Sequence, residues 1–126
     1  MSGEPDPKSR SLARGERRYR RKVASPKQWQ AIGEAKKGPC RVCVNPIENG
    51  HGFPVISLHH VVPRDMHGDD VADNIVPLCF DCHGAVEKRE PEPLAALAAS
   101  LTDSEYAYVV SKLGESGPAR LFGVGR

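Results

Sequence analysis

From Val55 to Val62 the chain runs Val55-Ile56-Ser57-Leu58-His59-His60-Val61-Val62, β-branched and apolar enough for a strand that Pro63 ends. A shorter apolar run, Ile75-Val76-Pro77-Leu78, predicts a second strand. Between them, residues 63–74 are polar, with Arg64, Asp65, His67, Gly68, Asp69, Asp70 and Asp73, and predict a loop. From His83 to Glu90 the pattern suits a helix that Pro91 stops. Upstream, Ser25-Pro26-Lys27-Gln28 supplies an N-cap, a proline for the first turn and a capping-box partner, so a helix is predicted over 26–37, before Gly38-Pro39. Trp29 and Ile32 share one face of it and read as core. Downstream, Pro93 to Ala99 is a good helix former, and Thr102-Asp103-Ser104-Glu105 is a capping box opening Tyr106 to Leu113, which Gly114 closes. Leu94, Leu97, Leu101, Tyr106, Val109, Val110 and Leu113 are predicted to pack on the strand-loop-strand-helix unit, with a partner-binding face as the alternative. The fold class is α+β.

Turn residues divide the rest. Asn45-Pro46, Asn49-Gly50 and Gly52 follow one another ahead of the first strand, and the glycines and Pro118 beyond Gly114 predict a loosely ordered tail. The first dozen residues, with Gly3, Pro5 and Pro7, read as disordered. The organisation is therefore a disordered basic arm at 1–24, a helix within 25–39, a central domain at 40–90, and helices with a flexible tail at 91–126.

The net charge of +2 conceals an asymmetry: residues 1–38 hold 11 Lys/Arg against 4 Asp/Glu, and residues 39–126 hold 7 against 12. Arg14, Arg17, Arg18, Arg20, Arg21 and Lys22 surround Tyr19, the composition of a phosphate-contacting segment, although a solubilising tail has the same look. There is no apolar run of about 18 residues and no apolar stretch behind the charged N-terminus, so neither a membrane span nor a secretory signal is expected, and the expected location is the cytoplasm.

A chain of 126 residues with polar ends cannot bury a large core. Its four cysteines suggest what compensates. Cys40-Arg41-Val42-Cys43 and Cys79-Phe80-Asp81-Cys82 are two C-x-x-C knuckles separated by 35 residues. Such knuckles together offer the four soft thiolates that tetrahedral zinc prefers. Two disulfides or redox pairs are the alternative, and nothing points to an oxidising compartment. A structural zinc is typically worth roughly 10–16 kcal/mol, comparable to the net stability of a small domain, so chelation is expected to unfold the chain. The result is a ββα unit clamped by zinc.

His59-His60-Val61, then Asn74-Ile75-Val76-Pro77-Leu78-Cys79, then Cys82-His83, resembles the HNH endonuclease family of ββα-metal nucleases, over roughly residues 40–90. The resemblance implies a small zinc-stapled ββα-metal domain that hydrolyses DNA, most often double-stranded, to 5′-phosphate and 3′-hydroxyl ends. It makes His60 the general base, a role suited to an imidazole that titrates near neutrality. His59 and His83 would ligate one catalytic divalent cation, with Glu87, one helical turn beyond His83, as a further ligand. Where many relatives carry aspartate, this chain has His59, which leaves the cation open among Mg²⁺, Mn²⁺, Ni²⁺ and Zn²⁺. Asn74 would fix the loop that carries the base, or touch the metal. Many such proteins are encoded by phages and mobile elements; packaging with a phage protein partner, restriction and homing are all compatible. Strand alternation sends adjacent His59 and His60 to opposite faces, so a bulge or a strand end is expected there. The rival classes are a zinc-stapled module that binds nucleic acid without cutting it, and a purely structural zinc protein.

Overall fold

A computed structural model of the chain describes residues 20–44 and 57–123. Val55, Ile56, the turn residues from Asn45 to Gly52, and the arm upstream of Arg20, with Arg14, Arg17, Arg18 and Tyr19, lie outside the described residues. Helix α1, Pro26–Ala35, opens as its capping box dictates: the Ser25 hydroxyl accepts from the Gln28 amide at 3.2 Å, and the Gln28 side chain accepts from the Ser25 amide at 2.8 Å. Ile32 is buried on this helix, but Trp29 is only half-buried and faces a cavity rather than the core.

Strands β1, Ser57–His60, and β2, Ile75–Leu78, pair antiparallel, with His59 opposite Val76 and His60 opposite Ile75. Every residue of β2 is buried. The first knuckle joins its free edge, where the Arg41 amide donates to the Pro77 carbonyl at 3.0 Å. Val61 and Val62 leave the strand expected to reach Val62 and turn into the core, so β1 ends at His60.

Helix α2, Phe80–Glu87, begins three residues earlier than the pattern predicts. Cys79 is its N-cap, the sulfur accepting from the Cys82 amide at 3.4 Å, so His83 sits within the helix rather than at its start. Pro91 does not simply stop a helix; it occupies the first turn of α3, Pro91–Ser100. Helix α4, Asp103–Leu113, carries the expected capping box between Thr102 and Glu105. The segment expected as a loose tail contains a further helix, α5, Gly117–Phe122, packed against α3 and α4. A Cβ at Gly117 would lie 2.6 Å from the Leu113 Cβ, so only glycine lets α5 approach that closely. Leu121 and Phe122 then join Val61, Val62, Val76, Leu78, Val86, Leu94, Leu97, Leu101 and Val109 in one core.

Glu105 ties the layers together. Its side chain is 1% exposed and receives the Arg41 guanidinium through two 2.8 Å bonds, the Lys36 ammonium, and the Thr102 amide at 2.8 Å. Burial alone would raise its pKa, but these donors more than offset it and hold the carboxyl down at about 2. One carboxylate thus joins α4, the first knuckle and the end of α1. Among the described residues, no helix is long and apolar enough to cross a membrane.

Candidate functional site

The two knuckles meet. The sulfurs of Cys40, Cys43, Cys79 and Cys82 lie within 4.8 Å of one another, and Cys43 Sγ is 3.9 Å from Cys79 Sγ. A tetrahedron of sulfurs each about 2.3 Å from a central ion has edges of about 3.8 Å, so this donor set fits a single metal ion. Burial raises the Cys40 thiol, yet the amides of Cys43, Cys79 and Val42 outweigh it and bring it down to about 7. Burial pushes Cys82 well up, and the neighbouring thiols push it further. Four thiolates so close repel one another, and a dication at their centre reverses that balance.

The second cluster stands on the hairpin and α2. His59, His83 and Glu87 bring one potential ligand atom each to within 4.8 Å of the others. The rings of His59 and His83 meet edge to face at 5.1 Å, and His83 Nε2 lies 3.3 Å from a Glu87 oxygen. Helical spacing explains the second pair, since residues four apart share a face. His83 Nδ1 is hydrogen-bonded to the Ser57 hydroxyl, so Nε2 is the nitrogen available to a cation. Burial, then the nearby His83 and His60, lower the His59 pKa to about 4, which keeps that imidazole neutral and able to ligate.

His60, at the very end of β1, faces the other way but lines the same cavity of about 910 Å³ as His59, His83 and Glu87. The strand is in regular register without a bulge at this pair, so the strand end does the work. His60 Nε2 is 2.8 Å from Asp70 Oδ1, and its ring meets the edge of Trp29 at 5.6 Å. Burial lowers the His60 pKa; the bond to Asp70 opposes that, and the charge of Arg64 adds to it. The Arg64 guanidinium lies 5.9 Å over the Trp29 ring at the cavity wall.

Asn74 lies in the core, fully buried. Its side-chain oxygen accepts from the Val62 amide at 2.7 Å, and its amide donates to the carbonyls of Val62 at 3.1 Å and Asp69 at 3.0 Å. All its bonds go to the loop that follows His60, so it clamps that loop rather than touching a metal. Gly68 makes the clamp possible: a Cβ there would lie 1.7 Å from the Val62 carbonyl oxygen.

Residues 20–24, expected to belong to a disordered arm, are instead bound to this loop. Arg21 bonds to Asp70 and, at 2.9 Å, to the Gly68 carbonyl, while the amides of Lys22 and Ala24 donate to Asp69 at 2.6 Å and Asp70 at 2.9 Å. Arg21, counted among the phosphate-contacting side chains, is committed to a carboxylate. Asp69 also accepts from the Tyr108 hydroxyl at 2.7 Å and Lys112 at 3.1 Å, which fastens the loop to α4.

The fold therefore gathers His59, His83 and Glu87 into one cluster, the four cysteines into another, and His60 beside the first. Ser57, Asp70 and Trp29 were not found by pattern. The motif around His60 could have prompted a search of the acidic loop for its partner, but nothing local distinguishes Asp70 from Asp69 or Asp73.

Residues 40–89 match the HNH endonuclease family. The chain is also 39% identical over 59 residues to the type IV methyl-directed restriction enzyme EcoKMcrA of Escherichia coli strain K12. That match covers 45% of this chain and 21% of the restriction enzyme, so the chain spans about a fifth of the length of this curated relative.

Proposed function

We propose that this chain, with an HNH endonuclease domain at residues 40–89, is a metal-dependent DNA endonuclease leaving 5′-phosphate and 3′-hydroxyl ends. The observation that carries the reading is the convergence of His59, His83 and Glu87 beside His60 in one cavity. His59, His83 and Glu87 hold a divalent cation, Mg²⁺, Mn²⁺, Ni²⁺ or Zn²⁺, whose charge stabilises the charge that builds on the phosphate and the departing 3′ oxygen. His60 is the general base. It takes a proton from water as water attacks phosphorus, and it can do so because burial keeps its imidazole neutral near pH 7. Asn74 holds the loop that follows the base, and Ser57 fixes the ring of His83. The four cysteines hold a structural zinc. DNA as the substrate is supported by the likeness to a restriction enzyme and by the basic residues upstream of Arg20.

Cleavage of supercoiled plasmid by zinc-loaded wild-type and His60→Ala proteins, with each of the four cations or EDTA, tests the reading. The expected result is cation-dependent nicking that drops by about 10²-fold or more in His60→Ala. A folded, zinc-loaded wild-type protein that cuts under none of these cations yet still binds DNA would make this a binding module instead.

A further inference from the structure

We infer that Asp70 is a positioning residue for the base: its carboxylate fixes the His60 ring in the tautomer that carries its proton on Nε2, leaving Nδ1 to accept the proton of water. The inference rests on the nuclease reading and adds to it a residue outside the family's motif letters.

Three observations converge. Asp70 has a side chain only 1% exposed, and the Arg21 guanidinium and the Ala24 amide both bond to it. A carboxylate so held stays ionised and can only accept. The group facing it at 2.8 Å, His60 Nε2, must therefore present a hydrogen; a lone pair there would confront the anion. Since a neutral imidazole carries one hydrogen, Nδ1 is then the nitrogen with the free lone pair, and among the described residues nothing hydrogen-bonds to it. Trp29 adds the third constraint. Its ring meets His60 edge to face at 5.6 Å with an interplanar angle of 78°, which opposes rotation of the imidazole.

Asp70 is itself positioned by more than the base. Its backbone amide donates to the Lys22 carbonyl at 2.8 Å, and the Arg64 Nε lies 3.8 Å from the oxygen that meets His60. Asp69, Gly68 and Val62 are locked by Tyr108, Arg21 and Asn74. The loop and residues 20–24 thus form a rigid mount with the carboxylate at its tip. The asymmetry between His59 and His60 follows: His59 has a histidine and a carboxylate beside it for sharing a cation, and His60 has an ionised carboxylate for fixing a proton.

The test combines a direct view of the ring with kinetics. Nitrogen NMR of the His60 imidazole in zinc-loaded protein at about pH 8 is expected to show the hydrogen on Nε2 in wild type. In Asp70→Asn, whose amide can donate where the carboxylate accepted, the hydrogen is expected on Nδ1, and kcat is expected to fall about 100-fold or more with KM changed less than about 3-fold. A hydrogen on Nδ1 in wild type overturns the inference without any variant having to fold. So does a folded Asp70→Asn protein that cuts at the wild-type kcat. Wild-type protein that shows the Nε2 hydrogen but cuts nothing overturns the nuclease reading first, and the positioning role with it.

Discussion

Replacing Glu105 by Gln keeps the size and shape of the side chain, and the acceptor for the Thr102 amide, while removing the charge that Arg41 and Lys36 share. The carboxyl is held at about 2 against an ordinary 4.5, a difference of about 2.5 pH units, or about 3 kcal/mol of preference for the ionised form in the folded chain. The folded pKa lies below the unfolded one, so this contribution is fully present above about pH 4.5, declines as pH falls from there, and is gone once pH has fallen through about 2. Breaking a fully buried ion pair costs about 3–5 kcal/mol; here Arg41 and Lys36 are 23% and 11% exposed, which argues for the lower end. Both routes give about 3 kcal/mol. Urea unfolding of zinc-saturated protein at about pH 7.5 should show a midpoint lowered by roughly 2 M, for a slope of about 1–2 kcal/mol/M. The difference from wild type should stay flat between about pH 6 and pH 8, because no part of it titrates there. A cycle with Arg41→Met should reveal a coupling of about 1–3 kcal/mol. A loss under about 1 kcal/mol with no coupling to Arg41 would refute the reasoning and show that solvent screens this network.

Gly68→Ala places a methyl within 1.7 Å of a backbone oxygen that cannot yield without releasing the Asn74 clamp, so a loss of about 2–4 kcal/mol is expected by denaturation, together with slower cleavage; wild-type stability would refute the clamp. Removal of zinc by a strong chelator should abolish the near-ultraviolet dichroism of the folded chain, and one equivalent per chain should restore it; a chelated protein that keeps its cooperative transition would show that the cysteines do not hold the fold together.

Local chemistry made much of this molecule readable. Ser25 and Thr102 announce their helices because a hydroxyl and a Gln28 or Glu105 three residues on satisfy the first amides within one turn. The paired knuckles and β2 were equally legible, since spacing and apolar run length are local properties. What escaped depends on partners far along the chain. Arg41 and Glu105 are 64 residues apart, and Arg21 and Asp70 are 49 apart, so no window of sequence displays either pair. Trp29 sits on an apolar helix face as a core residue would, and only the placement of β1 turns it toward His60. Gly117 and Pro118 resemble linker residues, yet one gives close approach and the other starts a turn, and Leu121 and Phe122 secure α5. The motif names His59, His60 and His83; Ser57 and Asp70, which hydrogen-bond to two of those rings, belong to no motif.

The hairpin is only four residues long on each side, and two neighbouring imidazoles on it point apart. Sliding β1 by a single residue against β2 would turn each to the opposite face, taking His59 away from His83 and Glu87 and His60 away from Asp70. Which partners each histidine meets is thus set by the register of the hairpin. Short two-stranded ribbons hold their register weakly on their own. Here the Asn74 bonds to Val62 fasten one end, and the second knuckle, which follows β2 at once, fastens the other. The second knuckle, which leads directly into His83, thereby acts as an alignment pin that decides which partners the two neighbouring imidazoles meet.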